Sequence, residues 1–276
     1  MKVLKHSGIT ADFDKGKLRN SLLRSGADIS AVEGVLQSIE HRIYDGISTR
    51  EIYKVASGLL KKIGASQAAR YNLRTALLLL GPAGFFFEKF IARLFEHEGY
   101  KTLTDIHLDG HCVSHEIDVV IQKEPLTMMI ECKFHNSQTN NSDVKVPMYI
   151  LSRFNDLKDK THHLFKNNEK INRCLIATNN RFTADAIAFA NCSGLELLGW
   201  DYPTKSNLKS KIDSNALYPI TCLTTLSHIE KEKLLILDII LVKELLGKPD
   251  RLLHIGISPN REKNILKEAT ALCNHH

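Results

Sequence analysis

The sequence predicts an α/β protein, α+β overall. It has a mostly helical N-terminal domain, a central α/β domain with a mixed sheet, and a helical C-terminal module. Three observations carry this. Residues 1–80 show helical periodicity behind a short β-like start. Residues 100–134 hold three β-rich runs, and residues 173–200 read strand–helix–strand, the signature of a parallel crossover. From about residue 205 the chain turns helical and polar. A length of 276 residues suits two or three domains, with boundaries placed at 1–82, 83–204 and 205–276.

Each element has its local reason. Asp14 can cap a helix over residues 15–25, because its carboxylate accepts an amide of the first turn. Helical patterns follow over 30–46, 48–63 and 66–80, the second opened by Ser48 and Glu51 at capping-box spacing. Gly81-Pro82-Ala83-Gly84 breaks the pattern and marks a boundary. An amphipathic helix is expected over 85–98, then strands over 100–108, 115–122 and 127–134, with Pro125 in the last turn. The polar tract 136–143 reads as an exposed loop, followed by a helix over 144–158. Strand 173–178, helix 183–191 and strand 195–200 complete the central domain. A helical apolar stripe spans 234–246, and a last helix spans 259–272.

Hydrophobic residues make up 43% and charged residues 25%, a composition that excludes disorder of the whole chain. The most apolar stretch, 234–242, is interrupted by Asp238 and falls short of a membrane span. The first six residues lack the apolar segment of a secretory leader, so a cytoplasmic setting without membrane contact is expected. The six cysteines form no CxxC pair, which argues against a zinc ribbon or a disulfide scaffold and for a reducing compartment. His107 and His111 fall in strand and turn and read as surface histidines. P-loop and serine-hydrolase motifs are missing. The net charge of +6 is unevenly spread: residues 1–80 hold 13 Lys and Arg against 7 Asp and Glu, while the remainder holds 24 of each. The excess points to an anionic partner for the N-terminal domain, against the plainer reading of a solvated charged surface.

The constellation with chemistry in it is Asp118 with Glu131 and Lys133. Residues i and i+2 on a strand share a face, so Glu131 and Lys133 point together while Ile130 and Cys132 point to the opposite side. A hairpin between the two strands would bring Asp118 to Glu131. Two adjoining carboxylates favour a hard cation with oxygen ligands, Mg²⁺ above all. A lysine beside them suits metal-assisted hydrolysis of a phosphodiester. The alternative is two exposed acids and a lysine on solvent-facing strands. Glu88 lies among Phe85, Phe86, Phe87, Phe90 and Ile91, where a carboxylate is costly unless paired or metal-bound. It can equally be a helix-edge glutamate in water.

With these residues in place, the segment from Gly84 to about Pro203 resembles the Mrr-type restriction endonucleases of the PD-(D/E)xK fold. The resemblance rests on Glu88, Ile117-Asp118, Glu131-Cys132-Lys133, the run from Ala177 to Ala186, and Leu197-Leu198-Gly199-Trp200-Asp201. It implies Asp118 and Glu131 as Mg²⁺ ligands, Lys133 as the residue that orients the attacking water, and Glu88 as an accessory acid. It also implies a polar residue on the next helix, for which Lys145 is the nearest candidate. His115-Glu116 replaces the glycine-rich approach to the aspartate, and Glu131 stands where many members carry Gln.

Residues 1–80 resemble an ATP-cone, the small regulatory domain of ribonucleotide reductases and their repressors. The marks are Val3-Leu4-Lys5-His6-Ser7-Gly8, Phe13-Asp14-Lys15-Gly16-Lys17-Leu18 and Ala69-Arg70-Tyr71-Asn72-Leu73. The resemblance implies ATP or dATP held near Val3, Lys5, His6 and Lys17, with His6 where members usually have Arg. The tail around Leu253–Pro259 fits either a helix–hairpin–helix unit or a plain helical hairpin, since Ser258 replaces the second glycine.

Together these readings give a Mg²⁺-dependent DNA endonuclease whose N-terminal domain binds nucleotide as a signal. A homodimer or higher homo-oligomer is expected if both strands of a duplex are cut. The rival from another class is a nucleotide-responsive DNA-binding regulator that uses the nuclease fold as a scaffold. A structured-DNA or RNA substrate would keep the chemistry.

Overall fold

The computed structural model describes residues 1–5, 8–81 and 83–274. The chain divides into two compact units, one made of Met1–Ala76 with Tyr218–His276, the other of Leu77–Leu217.

The first unit opens with the antiparallel pair β1 (Lys2–Leu4) and β2 (Thr10–Asp12), in the register Val3↔Ala11. Helix α1 (Lys15–Leu23) starts where expected, with the Asp14 carboxylate accepting the Lys17 amide at 2.9 Å. Helix α2 (Ile29–Glu40) ends earlier than its periodicity suggests. The reason is competition for the backbone. Gly46 N–H donates to Lys2 O, Asp45 accepts the Lys2 amide and Ile47 O accepts the Leu4 amide, so residues 45–47 bind β1 instead of continuing the helix. Helix α3 (Thr49–Ile63) has the full Ser48/Glu51 capping box. The expected helix 66–80 is interrupted at Asn72, giving α4 (Ala65–Tyr71) and α5 (Leu73–Leu78). Asn72 is held from the side: Tyr53 Oη donates to its Oδ1 at 2.6 Å, and its amide donates to Ser57. Val3, Leu22, Val32, Leu36, Ile39, Ile52 and Leu60 form the core of this part. Each such fully buried aliphatic side chain contributes about 1.5–3 kcal/mol relative to exposure.

The second unit begins at α6 (Phe85–His97). It continues through β3 (Lys101–Asp109), β4 (Ser114–Lys123), β5 (Leu126–Lys133), α7 (Lys145–Leu157), β6 (Thr161–Leu164), β7 (Asn167–Lys170), β8 (Arg173–Thr178), α8 (Ala184–Ser193), β9 (Glu196–Leu198) and α9 (Leu208–Asn215). Its sheet has the order β3-β4-β5-β8-β9. The first three strands are antiparallel and β5, β8 and β9 are parallel, so the sheet is mixed. The β6–β7 hairpin carries no turn signature in the sequence, because Phe165 and Lys166 take the positive φ that glycine or asparagine usually supplies. Residues 205–217, grouped above with the C-terminal module, lie in this unit, where the Leu208 amide donates to Gly199 O.

The C-terminal segment returns to the first unit as α10 (His228–Ile236), α11 (Val242–Gly247), α12 (Asp250–His254) and α13 (Pro259–Cys273). The apolar stripe 234–246 is thus not one helix. Asp238 takes φ 60, and Ile240 exchanges the helix for a backbone bond with Ile220, while Glu244 accepts the amides of Ile240 and Leu241. The segment is tied to the N-terminal residues by Thr221 Oγ1 to Ala76 O at 2.8 Å and Lys61 Nζ to Thr224 O at 3.0 Å. Glu268, 3% exposed, accepts the amides of Thr224 and Thr225. Among the described residues no helix is long and apolar enough to cross a membrane.

Candidate active site

The site forms where the apolar cover of the sheet runs out. Val120, Met129, Cys174 and Ile176 pack in one cluster with Ile150 and Leu157 of α7. Asp118 lies two residues before Val120 and Glu131 two after Met129, so both project from that same face. The β4–β5 pairing runs from Lys123↔Leu126 to Val119↔Ile130. Continued by one step, that register sets Asp118 opposite Glu131, as the hairpin expectation requires. On the other side of β4 the ladder is interrupted at Asp105, which takes φ 54 opposite Asp118.

The electrostatics show how closely the acids gather. Asp118 Oδ2 accepts the Cys132 amide at 2.7 Å. Burial raises the Asp118 carboxyl above its ordinary value, while that amide, Arg153 and Lys133 pull it down. Glu131 is pushed up to about 7, first by burial and then by the Asp118 charge, with Arg153 and Lys133 opposing. Glu88, in the first turn of α6, is also pushed up to about 7, by burial and then by Asp118, Asp105 and Glu116. The four residues singled out in the sequence therefore share one electrostatic neighbourhood, and Glu88 is a part-buried group rather than a solvated one. Lys133 is exposed at the end of β5, its carbonyl accepting the Thr178 hydroxyl at 2.7 Å. Gly84 sets the start of α6: it takes φ 92, and a Cβ there would lie 3.4 Å from Phe134 Cβ.

Beside the acids lies a cleft of about 410 Å³, lined by Ser114, His115, Glu116, Asp118, Glu131, Tyr149 and Arg153. Glu88 and Lys133 flank Asp118 and do not line it. The contribution of α7 comes from Arg153 and Tyr149 in place of Lys145. Lys145 is exposed at the start of that helix, with its amide bonded to Asp143. Residues 145, 149 and 153 stand in one i, i+4 row, and the residue of that row at the acids is Arg153, two turns after the Lys145 named from the sequence. Arg153 Nη1 donates to Glu131 Oε2 at 2.5 Å, its Nη2 donates to the Glu116 carbonyl, and its guanidinium lies 5.7 Å from the Tyr149 ring centroid. Nothing in the local sequence marks Arg153, because its partners are 22 and 37 residues away.

The rim of the cleft is built by polar locks. Asp156 meets His115 Nε2 at 2.8 Å and accepts the amides of Cys112 and Val113. His115, foremost, and those amides hold the Asp156 carboxyl far below the usual carboxylate range. The tract 136–143 is less open than its polarity suggests. Asn179 exchanges two 2.9 Å bonds with the His135 backbone, and Asn180 donates to the carbonyls of Ser137 and Asn140. Ser142, Asn179 and Asn180 are all buried. These bonds fix the chain immediately after Lys133.

In the first unit, Lys5 and Lys17 are exposed, with Lys17 Nζ 3.4 Å from Asp14. The Val3 side chain is 4% exposed and belongs to the core, which leaves its backbone to meet any ligand. His6 lies outside the described residues.

Among the described residues no group of three or more His, Cys, Asp or Glu side chains is arranged to hold a metal ion. Asp118 and Glu131 offer two carboxylates. Mg²⁺ is commonly bound by one or two carboxylates, with water and phosphate oxygens completing the shell, so this donor set fits that ion. It does not fit a closed tetrahedral zinc site.

Comparison with known proteins agrees with the geometry. An uncharacterized protein of Archaeoglobus fulgidus is 34% identical over 183 residues, spanning 65% of this chain and 97% of its own. The crystal structure of AF1548, a protein of unknown function, is 31% identical with a TM-score of 0.57, covering 68% of this chain and 97% of that one. The family model described as AF1548-like, C-terminal matches residues 218–273. The chain belongs to the AF1548-like family. Within this AF1548-like protein, the ATP cone domain model matches residues 1–75 and the restriction endonuclease model residues 82–201. The expected fusion of an ATP-cone to an Mrr-type restriction-endonuclease domain is therefore present, followed by the AF1548-like C-terminal domain. MspJI restriction endonuclease, solved with a 27-mer oligonucleotide, is 13% identical at a TM-score of 0.31 over 49% of this chain and 30% of that one. That likeness is too distant to carry an argument.

Proposed function

We propose that this AF1548-like protein is a Mg²⁺-dependent DNA endonuclease whose ATP-cone binds ATP or dATP as a regulatory signal. The observation that carries the reading is the gathering of Asp118, Glu131 and Glu88 into one part-buried neighbourhood with Lys133 beside them. Mutually repelling carboxylates are costly to hold together unless a cation offsets them. Asp118 and Glu131 are the residues that would hold Mg²⁺. Bound there, the ion supplies Lewis acidity to a phosphodiester. Lys133 orients the attacking water and faces the charge that develops on the phosphate. Glu88 is the accessory acid beside Asp118.

The nucleotide acts as a ligand and not as fuel, since no P-loop is present in the sequence. Lys5, His6 and Lys17 supply cationic or hydrogen-bonding groups for a triphosphate, and Val3 offers its backbone. The ligand shifts activity or assembly only as far as it binds one state better than another. DNA is the substrate class the fold supports best, and cutting both strands of a duplex calls for two sites, hence a homo-oligomer.

The test incubates the full chain and Asp118→Ala with plasmid, linear duplex, single-stranded DNA and RNA, in Mg²⁺, with and without ATP. Cleavage by the wild type that falls at least about 100-fold in Asp118→Ala is expected. DNA binding without Asp118-dependent cleavage of any substrate would instead favour the scaffold regulator. Calorimetry of the full chain with ATP and dATP, repeated on Lys5→Ala and Lys17→Ala, checks the nucleotide claim.

A further inference from the structure

The Arg153–Glu131 pair is a curious device if its purpose is stability. Its side chains are 11% and 17% exposed. At that burial the cost of removing both charges from water roughly cancels their attraction, so such a pair adds little to folding. It does two other things. It puts a cation on the carboxylate that the proposed chemistry needs, and it places a planar fork at the wall of the cleft that holds Asp118. The fork bridges Glu131 and the Glu116 carbonyl and is backed by Tyr149, itself 64% exposed.

We propose that Arg153 is a placeholder cation: it occupies Glu131 in the metal-free chain, is displaced by a divalent ion, and then clamps a phosphate of the nucleic acid strand in the cleft. This rests on the nuclease reading above and adds a residue and a sequence of events to it. Two cations cannot share one part-buried carboxylate at full strength, because each weakens the other's attraction to it. The displaced guanidinium stays at the cleft, since its stem is anchored on α7. A guanidinium matches two phosphate oxygens with two parallel N–H donors, which a lysine at that position would not. The lining of the cleft explains the direction of the exchange. Asp118, Glu116 and Glu131 repel a bare phosphate until the divalent ion has added two positive charges and Arg153 has been turned outward.

The experiment uses the full chain, with Mn²⁺ as the calorimetric probe and duplex DNA in Ca²⁺ as the binding probe. Wild type, Asp118→Asn, Arg153→Met and Arg153→Lys are compared, each checked by thermal melting. Arg153→Met is expected to bind Mn²⁺ about tenfold more tightly, because a competing charge is gone. It is also expected to lose DNA affinity in Ca²⁺ and to cleave about 100-fold more slowly in Mg²⁺. Arg153→Lys should fall between, keeping the charge and losing the fork. In the wild type labelled with ¹⁵N-arginine, the Arg153 Nε resonance should move on Mg²⁺ addition and again on DNA addition, a readout that stands even if the Met variant does not fold. Equal or weaker Mn²⁺ binding by a folded Arg153→Met, or an Arg153 resonance that ignores Mg²⁺, overturns the proposal. If the wild type binds no Mn²⁺, or Asp118→Asn binds it as well as the wild type does, the nuclease reading itself fails. If Asp118→Asn loses Mn²⁺ while a folded Arg153→Met binds it no more tightly than the wild type, that reading stands and only the role of Arg153 is refuted.

Discussion

Glu88 makes the cost of the acidic cluster measurable. Its carboxyl is pushed from an ordinary 4.5 to about 7 by burial and by Asp118, Asp105 and Glu116. Between those values the folded chain keeps a proton that the unfolded chain has released, so stability falls as pH rises through the interval. At about 1.4 kcal/mol per tenfold change in proton affinity, the full shift is worth at most about 3.5 kcal/mol. Solvent screening of a group only half buried reduces this to about 1–2 kcal/mol. Glu131 moves in the same direction, with Arg153 and Lys133 opposing, and its coupling to Asp118 keeps the contributions from adding fully. In chelator, the wild type should therefore lose stability from about pH 5 to about pH 8.5, and Glu88→Gln should recover about 1–2 kcal/mol at the upper end and almost nothing at the lower. Urea unfolding followed by circular dichroism at both pH values measures this. A wild-type stability that is flat or rises over the range, or a Glu88→Gln gain equal at both ends, would refute the reasoning.

Three further outcomes follow from the packing. Glu268→Ala orphans the buried amides of Thr224 and Thr225 and should cost about 2–5 kcal/mol in urea unfolding. Gly84→Ala forces a Cβ into a left-handed position against Phe134 and should cost about 1–2 kcal/mol, read as a lower melting temperature. Asp156→Ala releases the turn that holds Cys112 and Val113, so their amides should exchange with deuterium at least about tenfold faster while core amides keep their rates.

Local physics made much of this protein legible. Asp14, Ser48 and Glu51 announce their helices because a cap is a contact across three residues. Asp118, Glu131 and Lys133 could be placed on one face because a strand alternates with period two. What escaped was decided at long range. Asn72 breaks a helix because Tyr53 and Ser57 claim its side chain. The stripe at 234–246 breaks because Ile240 pairs with Ile220. Arg153 enters the site through Glu131 and Glu116, and no helical pattern could reveal that. A polar residue on the helix after β5 was expected, with Lys145 the nearest candidate, but which position on that helix meets the cleft depends on where the sheet ends.

The division of the chain also bears on how it is made. The restriction-endonuclease-like unit, Leu77–Leu217, is continuous, whereas the other unit joins Met1–Ala76 to Tyr218–His276. The ATP-cone precedes the central unit in the chain, yet partners within its own unit follow the central unit, among them Thr221 for Ala76 and Thr224 for Lys61. The central unit can thus fold while the ATP-cone still lacks those partners. During synthesis the strands that carry Asp118 and Glu131 are therefore complete before the bonds at Ala76 and Lys61 can form.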